Sequence, residues 1–191
     1  LDLLDESSIS RAAQWVRAQS QDAGRAVRLV IDATGWLHGD GRAPEKALRQ
    51  VDAAHMAHAF AVNAIGPALL MKHFLPLLPR QERAVFATLS AKVGSIGDNQ
   101  LGGWHSYRAS KAALNQLVRT AAIELARSHP HAVCVAVHPG TVDTPSLHDR
   151  INAQPDPVQA RKNFIARQPM GRLAQAHEIA PIVVFLASDE S

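Results

Sequence analysis

The chain has 191 residues, 47% of them hydrophobic, which suits one substantial core. Its net charge of +3 comes from scattered basic residues, without the clustered stripe and aromatic interleaving of a nucleic-acid-binding surface. No stretch reaches the roughly 18 uninterrupted apolar residues of a membrane helix, and the opening residues lack the pattern of a signal peptide. Cys134, the single cysteine, sits in an apolar run and reads as a small buried core residue that forms no internal disulfide, so a cytoplasmic setting is expected. Ten histidines include His55 and His58 on one helix, but no carboxylate or cysteine pattern completes a metal site, and none is expected.

In chain order, Ser7 or Ser8 is expected to cap a helix running to about Gln19, followed by a strand from Ala26 to Ala33. A Gly- and Asp-rich loop from Gly35 to Pro44 leads through a short helix to a long apolar helix from Ala53 to about Leu78, ended by Pro76 and Pro79. Within it, Asn63 followed by Gly66-Pro67 sets a polar amide beside two helix breakers. Ala84 to Ser90 reads as the next strand, Trp104 to Ser128 as the next long helix and Ala132 to His138 as the last strand. Pro145 to Pro157 reads as a mobile loop, either a lid or a plain surface loop, and Leu147, Ile151 and Phe164 as either a pocket wall or that segment's own core. A helix from His177 to Ala187 follows. Alternating strands and helices predict an α/β fold, a parallel sheet covered by helices.

The chemistry concentrates in Ser106-Tyr107-Arg108-Ala109-Ser110-Lys111. Side chains four apart on a helix share a face. A free tyrosine titrates near pH ~10, and a neighbouring ammonium favours its phenolate, bringing proton transfer toward working pH. Two apolar strands end in turns: Ile31-Asp32-Ala33-Thr34-Gly35, and Val137-His138-Pro139-Gly140 followed by Thr141 to Thr144. A glycine there lets the backbone come close to another group.

With Asn63, Tyr107, Lys111 and these turns in this order and spacing, the chain resembles the classical short-chain dehydrogenase/reductase family over essentially its whole length. The run Gly94-Ser95-Ile96-Gly97-Asp98-Asn99, Gly102-Gly103-Trp104 and Tyr107 to Lys111 resembles the C-factor-like branch of its carbonyl reductases. The resemblance implies a Rossmann-type doubly wound parallel sheet. It implies oxidoreduction between a carbonyl and an alcohol with NADP(H) more readily than NAD(H), a small-molecule substrate, no nucleic-acid or membrane partner, and a homodimer or homotetramer built on the two long helices. Tyr107 would be the general acid/base, Lys111 would lower its pKa and bind the nicotinamide ribose, and Asn63 would hold a water of a proton relay. The family's substrate-orienting serine falls at Ala91 here, leaving Ser90, or Ser95 beyond it, as the hydroxyl within reach. Asp2 would approach the adenine, Ala33 and Gly35 the adenosine ribose, and Pro139, Gly140 and Thr144 the nicotinamide carboxamide.

The family's opening Gly-rich turn, which holds the cofactor pyrophosphate at a helix N-terminus, does not occur in this sequence. Leu1-Asp2-Leu3 resembles the end of the family's third strand. The expectation is one domain over residues 1–191 that lacks its N-terminal cofactor-binding segment and final strand, with the first internal strand left as an open apolar edge. The alternative is a non-enzymatic signalling or binding fragment, favoured by Ala91 and the missing turn and opposed by Asn63, Tyr107 and Lys111.

Overall fold

The computed structural model describes residues 1–39, 41 and 43–188. They fall into two compact units, one from Leu1 to His138 and one that begins at Pro139. Residues 189–191, where the sequence reading has the chain stop ahead of a final strand, lie outside the described residues.

In the first unit, α1 (Glu6–Asp22) is capped by Asp5, not by Ser7 or Ser8: the Asp5 carboxylate accepts the Ser7 N–H at 2.9 Å. An aspartate caps as well as a serine and also complements the positive helix end. Strand β1 is Leu29–Asp32, shorter than predicted. The Asp32 side chain turns the chain out of the strand by accepting the Thr34 N–H at 3.0 Å. Leu1 to Leu3 form no strand. Asp2 Oδ1 instead accepts the Leu4 N–H at 2.9 Å and Asp2 donates its own N–H to Ser8 Oγ at 3.0 Å, a local turn.

The long apolar helix is divided into α2 (Ala53–Phe60), one π-helical turn over Ala61–Ile65 and α3 (Gly66–Phe74). Pro67 has no N–H to give the carbonyl one turn earlier, and the Gly66 N–H bonds back five residues to the Ala61 carbonyl. By length and composition Ala53–Leu77 would span a membrane. An uninterrupted-run criterion misses it because Asn63, Lys72 and three histidines break the run. Here Leu70, Met71 and Phe74 are buried in the protein's own core.

Strands β2 (Ala84–Leu89) and β3 (Ala132–Val137) flank α4 (His105–Leu125) in sequence. The sheet is parallel in the order β1-β2-β3. Ala84 to Thr88 are all buried, so the central strand is apolar on both faces, as in a parallel sheet between helices. Phe86 and Cys134 pack with Ile9 and Ala13 of α1, Phe74 of α3 and Leu114 and Val118 of α4. Burial pushes the Cys134 thiol up to about 11, which keeps it a neutral apolar filler. β1 is an edge of this sheet, with Leu29 and Ile31 exposed.

The second unit corrects the predicted loop between Pro145 and Pro157. It holds two helices, α5 (Pro145–Asn152) and α6 (Pro157–Ala166), capped by the side chains of Thr144 and Asp156. Each has a hydroxyl or carboxylate at the N-cap and proline in the first turn, a helix start that a proline count reads as a loop. Leu147, Ile151 and Leu173 form this unit's own core, with Phe164 packed against it. Strands β4 (Val142–Asp143) and β5 (Ala174–Gln175) pair in parallel, and α7 (Ala176–Ala187) follows.

Candidate active site

The site is assembled at the carboxyl ends of β1 and β2, where the sheet meets α4 and the π turn. Lys111 is 2% exposed and its Nζ donates to the Leu89 carbonyl at 2.7 Å. The same ammonium lies 6.0 Å from the centroid of the Tyr107 ring, so the two residues do share a face of α4. Burial lowers the lysine pKa, and the Asp32 carboxylate opposes that shift. Asp32 is itself buried and accepts the Thr88 hydroxyl at 2.6 Å.

Asn63, fully buried in the π turn, reaches in two directions. Its Oδ1 accepts the Trp36 N–H at 2.8 Å and its Nδ2 donates to the Trp36 carbonyl at 2.7 Å, fastening the loop after β1. The Nδ2 also donates to Ser110 Oγ at 3.1 Å, and Ser110 donates to the Tyr107 carbonyl at 3.0 Å. Gly35 closes the group: a Cβ there would stand 3.6 Å from Lys111 Nζ and 3.9 Å from Asn63 Oδ1. Asn63, Gly35, Tyr107 and Lys111 are thus brought together from three segments. Ala33 is exposed beside them at the end of β1.

Ser90 and Ser95 are committed to other partners. The Ser90 hydroxyl donates to Asn115 Oδ1 at 2.6 Å, and Ser95 Oγ accepts the Asp98 N–H at 3.3 Å. Between them Ala91 precedes the short 3-10 turn Lys92–Gly94. Gly94 packs against the Lys111 backbone so tightly that a Cβ would come within 2.9 Å of the Lys111 carbonyl carbon. A cleft of about 260 Å³ lined by Ser95, Ile96, Asn99, His105 and Arg108 lies on the opposite face of α4 from Tyr107 and Lys111, so it is separate from this group.

Pro139, Gly140 and Thr144 belong to the second unit. Gly140 has φ +75°, a left-handed turn that favours glycine. Gln168 holds the next residue, accepting the Thr141 N–H at 3.2 Å and donating to its hydroxyl at 2.8 Å. The Thr144 hydroxyl caps α5 by accepting the Leu147 N–H at 3.3 Å.

Sequence reasoning missed Ser110, Trp36 and Glu45. Ser110 lies inside the Tyr-Lys motif, three residues after Tyr107, and its spacing was legible. Trp36 and Glu45 join the site through contacts distant in sequence and carry no local signal.

A parallel sheet ordered β1-β2-β3 with helices in its crossovers, and polar groups gathered at the strands' carboxyl ends, defines a Rossmann-type α/β protein. The chain belongs to the short-chain dehydrogenase/reductase family: the family model described as "Enoyl-(Acyl carrier protein) reductase" matches residues 1–191. It is 40% identical over 165 residues to "Dehydrogenase/reductase SDR family member 6" of Aquarana catesbeiana, covering 86% of this chain and 63% of that one. The chain therefore spans less than two thirds of that relative's length. Among solved structures, the ligand-free aldohexose dehydrogenase of Thermoplasma acidophilum superposes with a TM-score of 0.79 at 20% identity, covering 99% of this chain and 70% of the other. A structure titled "ElxO with NADP Bound" superposes at 0.78 with 19% identity.

Proposed function

We propose that the protein interconverts a carbonyl and an alcohol with a nicotinamide cofactor, NADP(H) in preference to NAD(H), and that Tyr107 is the general acid/base. The observation that carries this reading is the Lys111 ammonium 6.0 Å from the Tyr107 ring centroid, with Gly35 and Asn63 beside it. The cofactor would supply or accept the hydride.

Gly35 fits a role in cofactor binding, because a side chain there would fill the space in front of Lys111 Nζ and Asn63 Oδ1. In this reading Lys111 holds the nicotinamide ribose hydroxyls and its charge favours the Tyr107 phenolate. Tyr107 delivers a proton to the carbonyl oxygen or takes one from the alcohol. Asn63 enters through its main chain: its side-chain amide is engaged with Trp36 and Ser110, while Pro67 withholds the N–H that an α-helix would give the Asn63 carbonyl. That carbonyl is the group we assign to the relay water. Ala33 would border the adenosine ribose and Pro139, Gly140 and Thr144 the carboxamide. NADP(H) has fold-level support from the neighbour that holds NADP.

Titration of NADPH and NADH into the purified protein, followed by nicotinamide fluorescence and then by a screen of carbonyl compounds, tests the proposal. Tyr107→Phe is expected to bind cofactor normally and lose about 10²–10⁴-fold in turnover, and Lys111→Ala to weaken binding. A protein that binds cofactor but transfers no hydride to any carbonyl would support the binding-protein alternative.

A further inference from the structure

Helix α4 begins without the usual N-terminal cap. Its N-cap is Trp104, left-handed at φ 53° and without a side-chain cap bond, and Gly102 and Gly103 before it are left-handed as well. The first N–H groups of a helix have no partner within it and need an acceptor from elsewhere. That acceptor comes from Glu45, 61 residues earlier. Its main-chain carbonyl accepts the Trp104 N–H at 2.5 Å, and its carboxylate accepts the Ser106 N–H at 3.4 Å and the Ser106 hydroxyl. Gly103 permits this approach: a Cβ there would meet the Glu45 carbonyl oxygen at 3.3 Å.

The carboxylate is buried at 4% exposure, a position that is costly for a charge unless hydrogen bonds replace its water. Burial raises its pKa, and the Ser106 hydrogen bonds, its own main-chain N–H and the nearby His55 together outweigh that, leaving it below the ordinary value. His55 Nε2 lies 3.9 Å from Glu45 Oε1, and Trp36 packs on the His55 ring with centroids 4.8 Å apart. The Ser106 hydroxyl goes to the carboxylate, so the trio lacks the serine–imidazole bond of an activated nucleophile. What Ser106 does have is Tyr107 as its next residue, whose ring meets Trp104 edge-on at 6.3 Å.

We propose that Glu45 is a positioning residue for Tyr107: its buried carboxylate caps the first turn of α4 in place of an N-cap side chain and so fixes where the phenol stands relative to Lys111. This rests on the reading of Tyr107 as the acid/base group. Together with the Asn63–Ser110 bond, it holds the tyrosine from both ends of its turn.

Tyr107 is the chain's single tyrosine, so near-ultraviolet difference absorbance of the phenolate reports this residue alone. Glu45→Ala and Ser106→Ala are expected to move its titration midpoint up, toward the free value near ~10, as the phenol leaves the field of Lys111. Glu45→Ala, which takes away the acceptor of the Ser106 N–H, should also speed hydrogen exchange of that amide at least about tenfold. Glu45→Gln, which keeps an acceptor for Ser106, should restore midpoint and exchange. A folded Glu45→Ala protein with wild-type midpoint and wild-type exchange overturns the inference. If Glu45→Ala does not fold, Ser106→Ala decides it by the titration midpoint. A wild-type midpoint already at the free value removes the acid/base reading of Tyr107, and the exchange rates alone then decide the role of Glu45.

Discussion

The side-chain amide of Asn63 donates to the hydroxyl of Ser110 at 3.1 Å across 47 positions of the chain. Because Ser110 passes a hydrogen bond on to the Tyr107 carbonyl, the π turn and the tyrosine helix are one frame. A π turn is a costly departure from the α register. Here it turns a polar side chain into the protein at the point where two other segments need it.

Removing that amide tests the frame. Asn63→Ala leaves the Trp36 N–H and carbonyl without their partner in a region where Asn63 itself is fully buried. Each buried polar group left unsatisfied costs about 1–3 kcal/mol, so a loss of roughly 2–4 kcal/mol is expected in thermal or urea unfolding. Ser110→Ala removes two bonds of the same chain but leaves the Asn63 amide paired with Trp36, and should cost less, about 1 kcal/mol. Equal losses in the two variants would mean that the Trp36 contacts contribute nothing.

Lys111 gives the protein a definite pH dependence. Its native pKa lies below the ordinary 10.5, chiefly through burial. As pH rises through the window between the lowered native value and 10.5, the unfolded chain still holds a proton that the native protein has released. Stability therefore rises with pH there, and the cost of the buried charge is fully present below the native pKa. Relative to Lys111→Met, wild type should become progressively more stable across that window, while the variant loses cofactor binding at every pH. Unfolding curves that differ by a constant amount from neutral pH upward would refute the assignment.

What the sequence disclosed follows the range of the interactions involved. The strands around Val30, Phe86 and Cys134 are local apolar runs, and Tyr107 and Lys111 are one helical turn apart, so both were legible. Asn63 beside Gly66-Pro67 marked the place where the helix departs from α geometry, but not the π register. The helices after Thr144 and Asp156 were misread because proline signals a loop by composition and a helix start by position. Glu45 was invisible: its partner lies 61 residues away, and only the folded sheet brings the two together.

Gly94→Ala should displace Lys111 at its root, where the main chain and Cβ of the lysine pack against the glycine. A methyl at Gly94 would meet the Lys111 carbonyl carbon at 2.9 Å and its carbonyl oxygen at 3.0 Å, and main-chain atoms cannot rotate aside. Forcing such a contact costs about 1–3 kcal/mol. The expected outcome is a lower Tm together with weaker NADPH binding. A variant as stable as wild type, with unchanged binding, would show that the Lys92–Gly94 turn moves independently of α4.

Ala91 invites the opposite experiment, a gain. The Ser90 hydroxyl is spent on Asn115 Oδ1 at 2.6 Å and Asn115 Nδ2 reaches the Gly94 carbonyl at 3.5 Å, so Ser90 braces the turn that follows β2. Under the proposed function Ala91, with no hydrogen-bonding side chain, would stand where the family's serine addresses a substrate oxygen. One donor at a developing oxyanion is worth about 10²–10³ in rate. Ala91→Ser is accordingly expected to raise kcat on a reducible carbonyl at least about tenfold, whereas Ser90→Ala should lower stability and leave kcat nearly unchanged. If Ser90→Ala abolishes turnover while cofactor binding survives, the Ser90 hydroxyl leaves Asn115 for the substrate during the reaction, and the serine's role belongs to Ser90 after all.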